Sequence, residues 1–87
     1  MSDYNELFRE LQSLERRSTE IAGQLVSIDA QIFSLVGKIG IAEAQPENKL
    51  IQALSQSLEG LKEMRSGLLE EKEIIRKQIN EVKDEMN

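Results

Sequence analysis

The fold is decided by residues 4–39, which read YNELFRELQSLERRSTEIAGQLVSIDAQIFSLVGKI. Apolar residues recur in this stretch at alternating intervals of three and four, and Ser18 is the one polar member of the series. The series is Tyr4, Leu7, Leu11, Leu14, Ser18, Ile21, Leu25, Ile28, Ile32, Leu35 and Ile39. A seven-residue apolar repeat that never slips over such a length is typical of a coiled-coil helix.

The C-terminal part of the chain repeats this pattern after a short polar break. Its series is Ile51, Leu54, Leu58, Leu61, Arg65, Leu68, Lys72, Ile75, Ile79, Val82 and Met86. Between the two series, Gly40 is typical of a residue just after a helix, and Pro46 is typical of a first helical turn. The sequence therefore predicts an all-α fold with helix 1 over about 3–39, a turn over about 40–46 and helix 2 over about 47–86.

A short turn makes two helices antiparallel neighbours, so we expect one domain, an antiparallel two-helix coiled-coil hairpin. Ser2 or Asp3 is expected to cap helix 1. The predicted turn places Leu35 opposite Ile51 and Ile21 opposite Arg65. The flanking pairs of opposite charge that this arrangement brings close are Arg17 with Glu71, Glu15 with Arg76, and Asp29 with Lys62.

Several apolar residues lie outside the two series. The ones that we assign to an oligomer or partner interface are Val26, Phe33, Val36, Leu69, Phe8 and Ile74. Val26 and Phe33 are seven residues apart and therefore share one side of helix 1. Single exposed apolar residues are common in soluble proteins, but residues aligned along one side mark an interaction surface. We expect the hairpin to assemble into a four-helix bundle or a larger homo-oligomer.

Three polar residues interrupt the apolar seam and form a predicted polar core layer: Ser18, Arg65 and Lys72. The aliphatic stems of Arg and Lys can lie along the seam while their charged ends reach water. Such residues set register and oligomeric state at some cost in stability. The alternative is a cationic layer, repeated by symmetry, that binds an anion or an acidic partner between subunits.

Composition closes off several kinds of chemistry. The chain has no His and no Cys, which removes His-dependent triads, thiol nucleophiles and His- or Cys-based metal sites. We predict no catalytic residues, no metal and no cofactor, and thus no enzyme. The net charge of −5 argues against direct nucleic-acid binding, because phosphate contacts need clustered Lys and Arg.

The most apolar segment, Ile21–Ala42, is long enough to span a bilayer. It contains Asp29 and Lys38, and charges are costly inside a membrane, so a membrane is not the partner we expect. The first ten residues, MSDYNELFRE, lack the apolar core of a signal peptide. The expected location is the cytoplasm.

Two functional hypotheses follow from these features. The first is a non-enzymatic helical interaction or scaffold protein that acts through coiled-coil surfaces. Its expected partners are a second copy of itself and, in addition, another protein. The alternative is a small acidic regulator or inhibitor, of the phage type, that binds or sequesters a larger partner or a ligand between subunits. A scaffold hides its second apolar stripe in its own oligomer, whereas an inhibitor presents that stripe to a foreign protein.

Overall fold

The chain folds as an all-α hairpin of two long helices. The computed structural model describes residues 3–44 and 49–87. Helix α1 spans Tyr4–Glu43 and helix α2 spans Ile51–Met86. The two helices pack along their length into a rod of 67 × 15 × 14 Å, so the predicted two-helix hairpin is confirmed.

The start of α1 is fixed by Asp3. Its side-chain Oδ1 accepts a hydrogen bond from the backbone N–H of Asn5 at 3.3 Å, which satisfies one of the donors that a helix N-terminus leaves free. Glu6 adds a negative charge in the first turn, where the helix dipole favours it. Asp3 is one of the two predicted caps, and the other, Ser2, lies outside the described residues.

The end of α1 differs from the prediction. The helix continues through Gly40 and ends at Glu43, so the predicted end is four residues too early. No described glycine has a positive φ, and Gly40 therefore does not form the left-handed cap that ends many helices. Ala44 closes the helix in a right-handed conformation, and its N–H donates to the carbonyl of Ile41 at 3.2 Å. Glycine inside a helix costs only about 1 kcal/mol relative to alanine, which packing of the flanking residues can offset.

The second helix also begins later than expected in the part of the chain that the structure describes. Ile51 is its first residue, and the carbonyl of Leu50 accepts a hydrogen bond from the N–H of Leu54 at 2.9 Å. The predicted first turn, which contains Pro46, lies outside the described residues. The connection between the helices is therefore centred several residues further along the chain than the sequence predicts.

This later connection shifts the pairing of the two helices by about one heptad. Ile21 lies in one buried cluster with Ile75, not opposite Arg65 as predicted. Leu35 shares a groove with Leu61, not with Ile51. A shift of seven residues returns each seam residue to an equivalent position, so the apolar pattern satisfies both pairings and the position of the connection decides between them.

The shifted pairing divides the rod at its middle into two halves of similar length. We call residues 24–43 and 50–69 the tip half, and residues 3–23 and 70–87 the open half. Among the described residues, the buried apolar ones are Leu7, Ile21, Leu25, Ile28, Ile75 and Val82. Four of these six lie in the open half, whereas the seam towards the tip, from Ile32 on α1 and up to Leu61 on α2, is only half-buried.

Tyr4 is a seam residue by spacing, yet it is 60% exposed. In the shifted pairing it lies beyond the level of Met86, where α2 ends. The predicted pairing placed Tyr4 opposite Val82, which instead is buried at a level further inside the rod. The exposure of Tyr4 is a direct consequence of the shift.

Candidate interaction surface

Three of the apolar residues singled out from the sequence lie together on α1. Val26, Phe33 and Val36 are 71%, 83% and 53% exposed. Their spacings of seven and three place them on one side of the helix, away from the buried seam that contains Ile28. An exposed Phe in the middle of a long helix is the clearest departure from an ordinary solvated surface in this molecule.

Helix α2 contributes Leu69 to the same side of the hairpin. Leu69 is 41% exposed and lines a groove with Ser18 and Arg76. The groove on the opposite side of the hairpin is lined by Gln24 and Gly67 instead, and Gly67 and Leu69 point in opposite directions because they are two residues apart on a helix. We call Val26, Phe33, Val36 and Leu69 the apolar stripe.

The other two predicted interface residues lie apart from the apolar stripe. Phe8 is 45% exposed in the open half, about 27 Å along α1 from Val26 at 1.5 Å per residue. Ile74 is 56% exposed and lies on the opposite side of α2 from Leu69. Five residues of helix rotate a side chain by one full turn plus about 140° around the axis. Neither residue forms part of a continuous apolar surface with the stripe.

A salt bridge crosses the hairpin beside the apolar stripe. Arg65 Nε donates to Asp29 Oδ1 at 2.7 Å, and the two side chains are 43% and 54% exposed. The predicted partner of Asp29, Lys62, lies 3.7 Å from Glu59 on its own helix instead. Arg65 reaches Asp29 from a half-buried seam position, and its guanidinium suits a carboxylate better than an ammonium group does. Asp29, which lies beside the stripe, therefore has a partner.

The polar core layer differs from the prediction at one residue. Ser18 and Arg65 are half-buried, but Lys72 is exposed and the neighbouring Glu71 is half-buried in its place. Glu71 is drawn towards the seam by Arg17, whose Nε and Nη2 donate to its two carboxylate oxygens at 2.7 and 2.9 Å. This two-pronged contact confirms the predicted proximity of Arg17 and Glu71 and gives a stronger geometry than a single ion pair.

The Arg17–Glu71 pair also changes the acidity of both groups. The hydrogen bond from Arg17 holds the pKa of the Glu71 carboxyl below its ordinary value of 4.5. The same bond raises the pKa of Arg17 above its ordinary value. A third predicted pair, Glu15 with Arg76, is replaced by a contact within α2, where Arg76 Nε donates to Glu73 at 3.0 Å.

Lys72 and Arg65 do not share a cavity in the described structure. Lys72 lines an open groove of about 440 Å³ with Ser18, whereas Arg65 is held by Asp29. A paired cationic layer inside a single hairpin is therefore not formed.

A second groove runs along the side of the hairpin opposite the apolar stripe. Two adjoining segments of about 390 and 520 Å³ meet at Met64. The residues lining this groove include small ones, Ser27 and Ser34 on α1 and Gly60 and Gly67 on α2, beside the longer Gln24, Gln31 and Lys38. A Cβ atom added at either glycine would meet nothing within 4 Å, so packing within the hairpin does not require glycine there. The small residues cover little of the seam, and Leu35 and Leu61, which line the segment nearer the tip, are half-buried.

This groove was not predicted from the sequence. It lies where the serines of one helix come beside the glycines of the other. No spacing rule within one helix contains that information. The groove is almost uncharged, because Lys38 is the one charged residue among those lining its two segments.

Among the described residues, no group of three or more Asp, Glu, His or Cys side chains is arranged to hold a metal ion. Helix α1 is long and apolar enough, by length and composition, to cross a membrane, and only 17% of its most apolar window is buried in the hairpin. What the arrangement offers chemically is an apolar surface able to pack against another apolar surface.

Comparison with known protein families, with curated proteins and with solved structures finds no significant match to this chain.

Proposed function

We propose that this protein is a non-enzymatic helical interaction and scaffold protein that associates with itself through the apolar stripe. The observation that carries the proposal is the exposure of Phe33, Val26 and Val36 on one side of α1. Each such side chain gains about 1.5–3 kcal/mol when it is moved from water into an apolar interface. Mutual burial of the stripe in two copies is the simplest way to recover that free energy.

The size of the chain supports the same proposal. Two hairpins that pack together form a four-helix arrangement, in which each helix has two neighbours and the shared core is larger. Small chains of this size often need such assembly for stability.

A membrane surface is the competing occupant of the stripe, because α1 is apolar enough to enter a bilayer. Asp29 lies between Val26 and Phe33 on the same helix and is 54% exposed in its pair with Arg65. Burying this ion pair in hydrocarbon would be costly, whereas a protein interface can leave it at a solvated rim. The stripe is therefore better suited to a protein partner.

The mass in solution tests the proposal. We expect a species of at least twice 9.9 kDa and a melting temperature that rises with protein concentration, here between about 1 and about 100 µM, since association stabilises the folded state by mass action. A monomer at the highest concentration would contradict self-association and assign the stripe to a foreign protein. If the protein instead stays monomeric and binds to phosphatidylcholine vesicles, the stripe is a membrane-binding surface. That result would also overturn the proposal.

A pair of double variants identifies the surface. Val26→Glu with Phe33→Glu places two charges in the stripe and should give a smaller, less stable species that remains helical. Gln12→Glu with Thr19→Glu is the matched control, because these exposed residues are also seven apart on α1 and the same charge is added. Equal loss of mass in both variants would count against the stripe as the interface.

A further inference from the structure

The two halves of the rod differ sharply in charge. The tip half has 7 charged residues among 40, with a net charge of −1, and the open half has 18 among 39, with a net charge of −4. Exposed large apolar residues follow the opposite trend: seven of the ten lie in the tip half. The surface suited to association and the surface that resists it are thus at opposite ends of the same rod.

We infer that two copies pair antiparallel through their tip halves, so that the two open halves point away from each other. The inference rests on the self-association proposed above and specifies its partner and orientation. The midpoint of the stripe on α1 lies near Gln31, so a two-fold axis at that level sets Val26 of one copy against Val36 of the other. Identical surfaces that meet across a two-fold axis make a closed interface.

Charge argues against the alternative, a parallel pair with both tips at the same end. Packed helices lie about 8–10 Å apart, which is within the Debye length of about 10 Å at 0.1 M salt. A parallel pair would hold the two open halves, each at −4, side by side at that distance. It would also place Asp29 of one copy opposite Asp29 of the other. Like charges that face each other across an interface are strongly disfavoured.

The distribution of apolar surface argues the same way. On the stripe side of the open half, the groove beyond Leu69 is lined mostly by polar and charged residues, including Glu73, Arg76 and Lys83. A parallel pair would dehydrate these groups with little apolar gain, and dehydration without new partners is unfavourable. An antiparallel pair leaves them in water.

The orientation sets the size of the assembly and gives it a use. A parallel pair keeps the length of one hairpin, 67 Å, whereas an antiparallel pair with its two-fold axis near Gln31 gives a rod of about 85 Å at 1.5 Å per residue. The charged open halves then project from opposite ends. Such an assembly is a two-ended spacer, which presents two identical acidic arms at a fixed separation.

Distances between single labels test the orientation directly. The sequence has no Cys, so Gln12→Cys gives one spin label per chain at an exposed position of the open half. In the antiparallel pair we expect a distance of about 60 Å between the two labels, calculated from the helical rise. In a parallel pair the same labels would lie within about 30 Å, since neighbouring helices are about 10 Å apart.

Ser34→Cys is the matched control, because this exposed residue lies near the two-fold axis and on the other side of α1 from the stripe. Its label pair should give a short distance, and small-angle scattering should give a maximum dimension of about 85 Å for the same sample. A dimer mass with a short Gln12→Cys distance would overturn the orientation while the proposed self-association stands. A monomer mass would overturn both.

Discussion

The tip half and the open half are built on the same heptad repeat, yet they seal their seams to different extents. In the open half, Ile21 is fully buried and Ile75 and Val82 are each 5% exposed. In the tip half, Leu25 and Ile28 are also buried, but Leu35 and Leu61, nearer the tip, are only half-buried. The predicted seam contains one polar residue in the tip half, Arg65, and two in the open half, Ser18 and Lys72, so seam composition does not explain the difference.

The flanking residues explain it. In the open half the seam is bordered by long side chains such as Arg17 and Glu71, whose stems cover apolar surface while their charged ends pair in water. In the tip half the borders include Ser34 and Gly60, which cover little. The heptad repeat decides that two helices pair, and the size of the flanking side chains decides whether the pair is complete by itself.

The largest expected effect is the difference between two core truncations. Ile21→Ala in the open half should lower the free energy of unfolding by about 2–5 kcal/mol, the usual range for a fully buried aliphatic side chain. Leu35→Ala in the tip half should cost clearly less in the separated hairpin, because Leu35 is already in partial contact with water. Urea denaturation at low protein concentration measures both.

The same pair of variants also reports on association. Leu35 lines the groove opposite the apolar stripe, so pairing through the stripe should leave the cost of Leu35→Ala independent of protein concentration. A cost that grows with concentration would place the interface on the groove side instead. Equal costs for the two variants in the dissociated hairpin would show that the seams are sealed alike and would remove the distinction between the halves.

A smaller effect is expected at the bidentate pair that borders the open half. Arg17 holds the pKa of Glu71 below 4.5, so the pair stabilises the folded state above that pH, and the contribution is lost as the pH falls through the lowered pKa. Glu71→Gln should therefore lower the melting temperature by a few degrees at pH 7. The gap from the unmodified protein should close as the solution is acidified below the ordinary pKa.

Glu70→Gln is the control for this experiment. Glu70 is exposed and adjacent in sequence, so the substitution removes the same formal charge and leaves the two hydrogen bonds between Arg17 and Glu71 in place. Circular dichroism melts from pH 7 down to pH 3 compare the two variants. A deficit in Glu71→Gln that persists unchanged at low pH would mean that the carboxylate contact is not its cause.

Sequence reasoning predicted the helical hairpin, the Asp3 cap and the exposed stripe, because each depends on spacing within one helix or on local chemistry. It failed for the connection, since Gly40 signals a helix end that the following residues override. The wrong connection then produced the wrong pairing, because a heptad repeat cannot distinguish pairings that differ by seven residues. Lys72 failed for a related reason: spacing assigns it to the seam, but Arg17 on the other helix draws in Glu71 instead.

The smallest expected effect tests the pairing of the helices in the tip half. Asp29 and Arg65 join the two helices through one hydrogen bond of 2.7 Å, and both side chains are exposed enough for water and salt to screen the interaction. The coupling energy from a double-mutant cycle of Asp29→Ala and Arg65→Ala should therefore be about 0.2–1 kcal/mol. It should fall as salt is added, because exposed charges are screened.

A second double-mutant cycle, of Asp29→Ala and Lys62→Ala, is the control for this small coupling energy. Lys62 is the partner that the sequence predicts, but in the structure it lies near Glu59, so its coupling to Asp29 should be close to zero. The two cycles share one variant and differ only in which cation of α2 is removed. A larger coupling energy for Lys62 than for Arg65 would contradict the ion pair between Asp29 and Arg65 beside the stripe. Asp29 would then have a different partner next to this apolar surface.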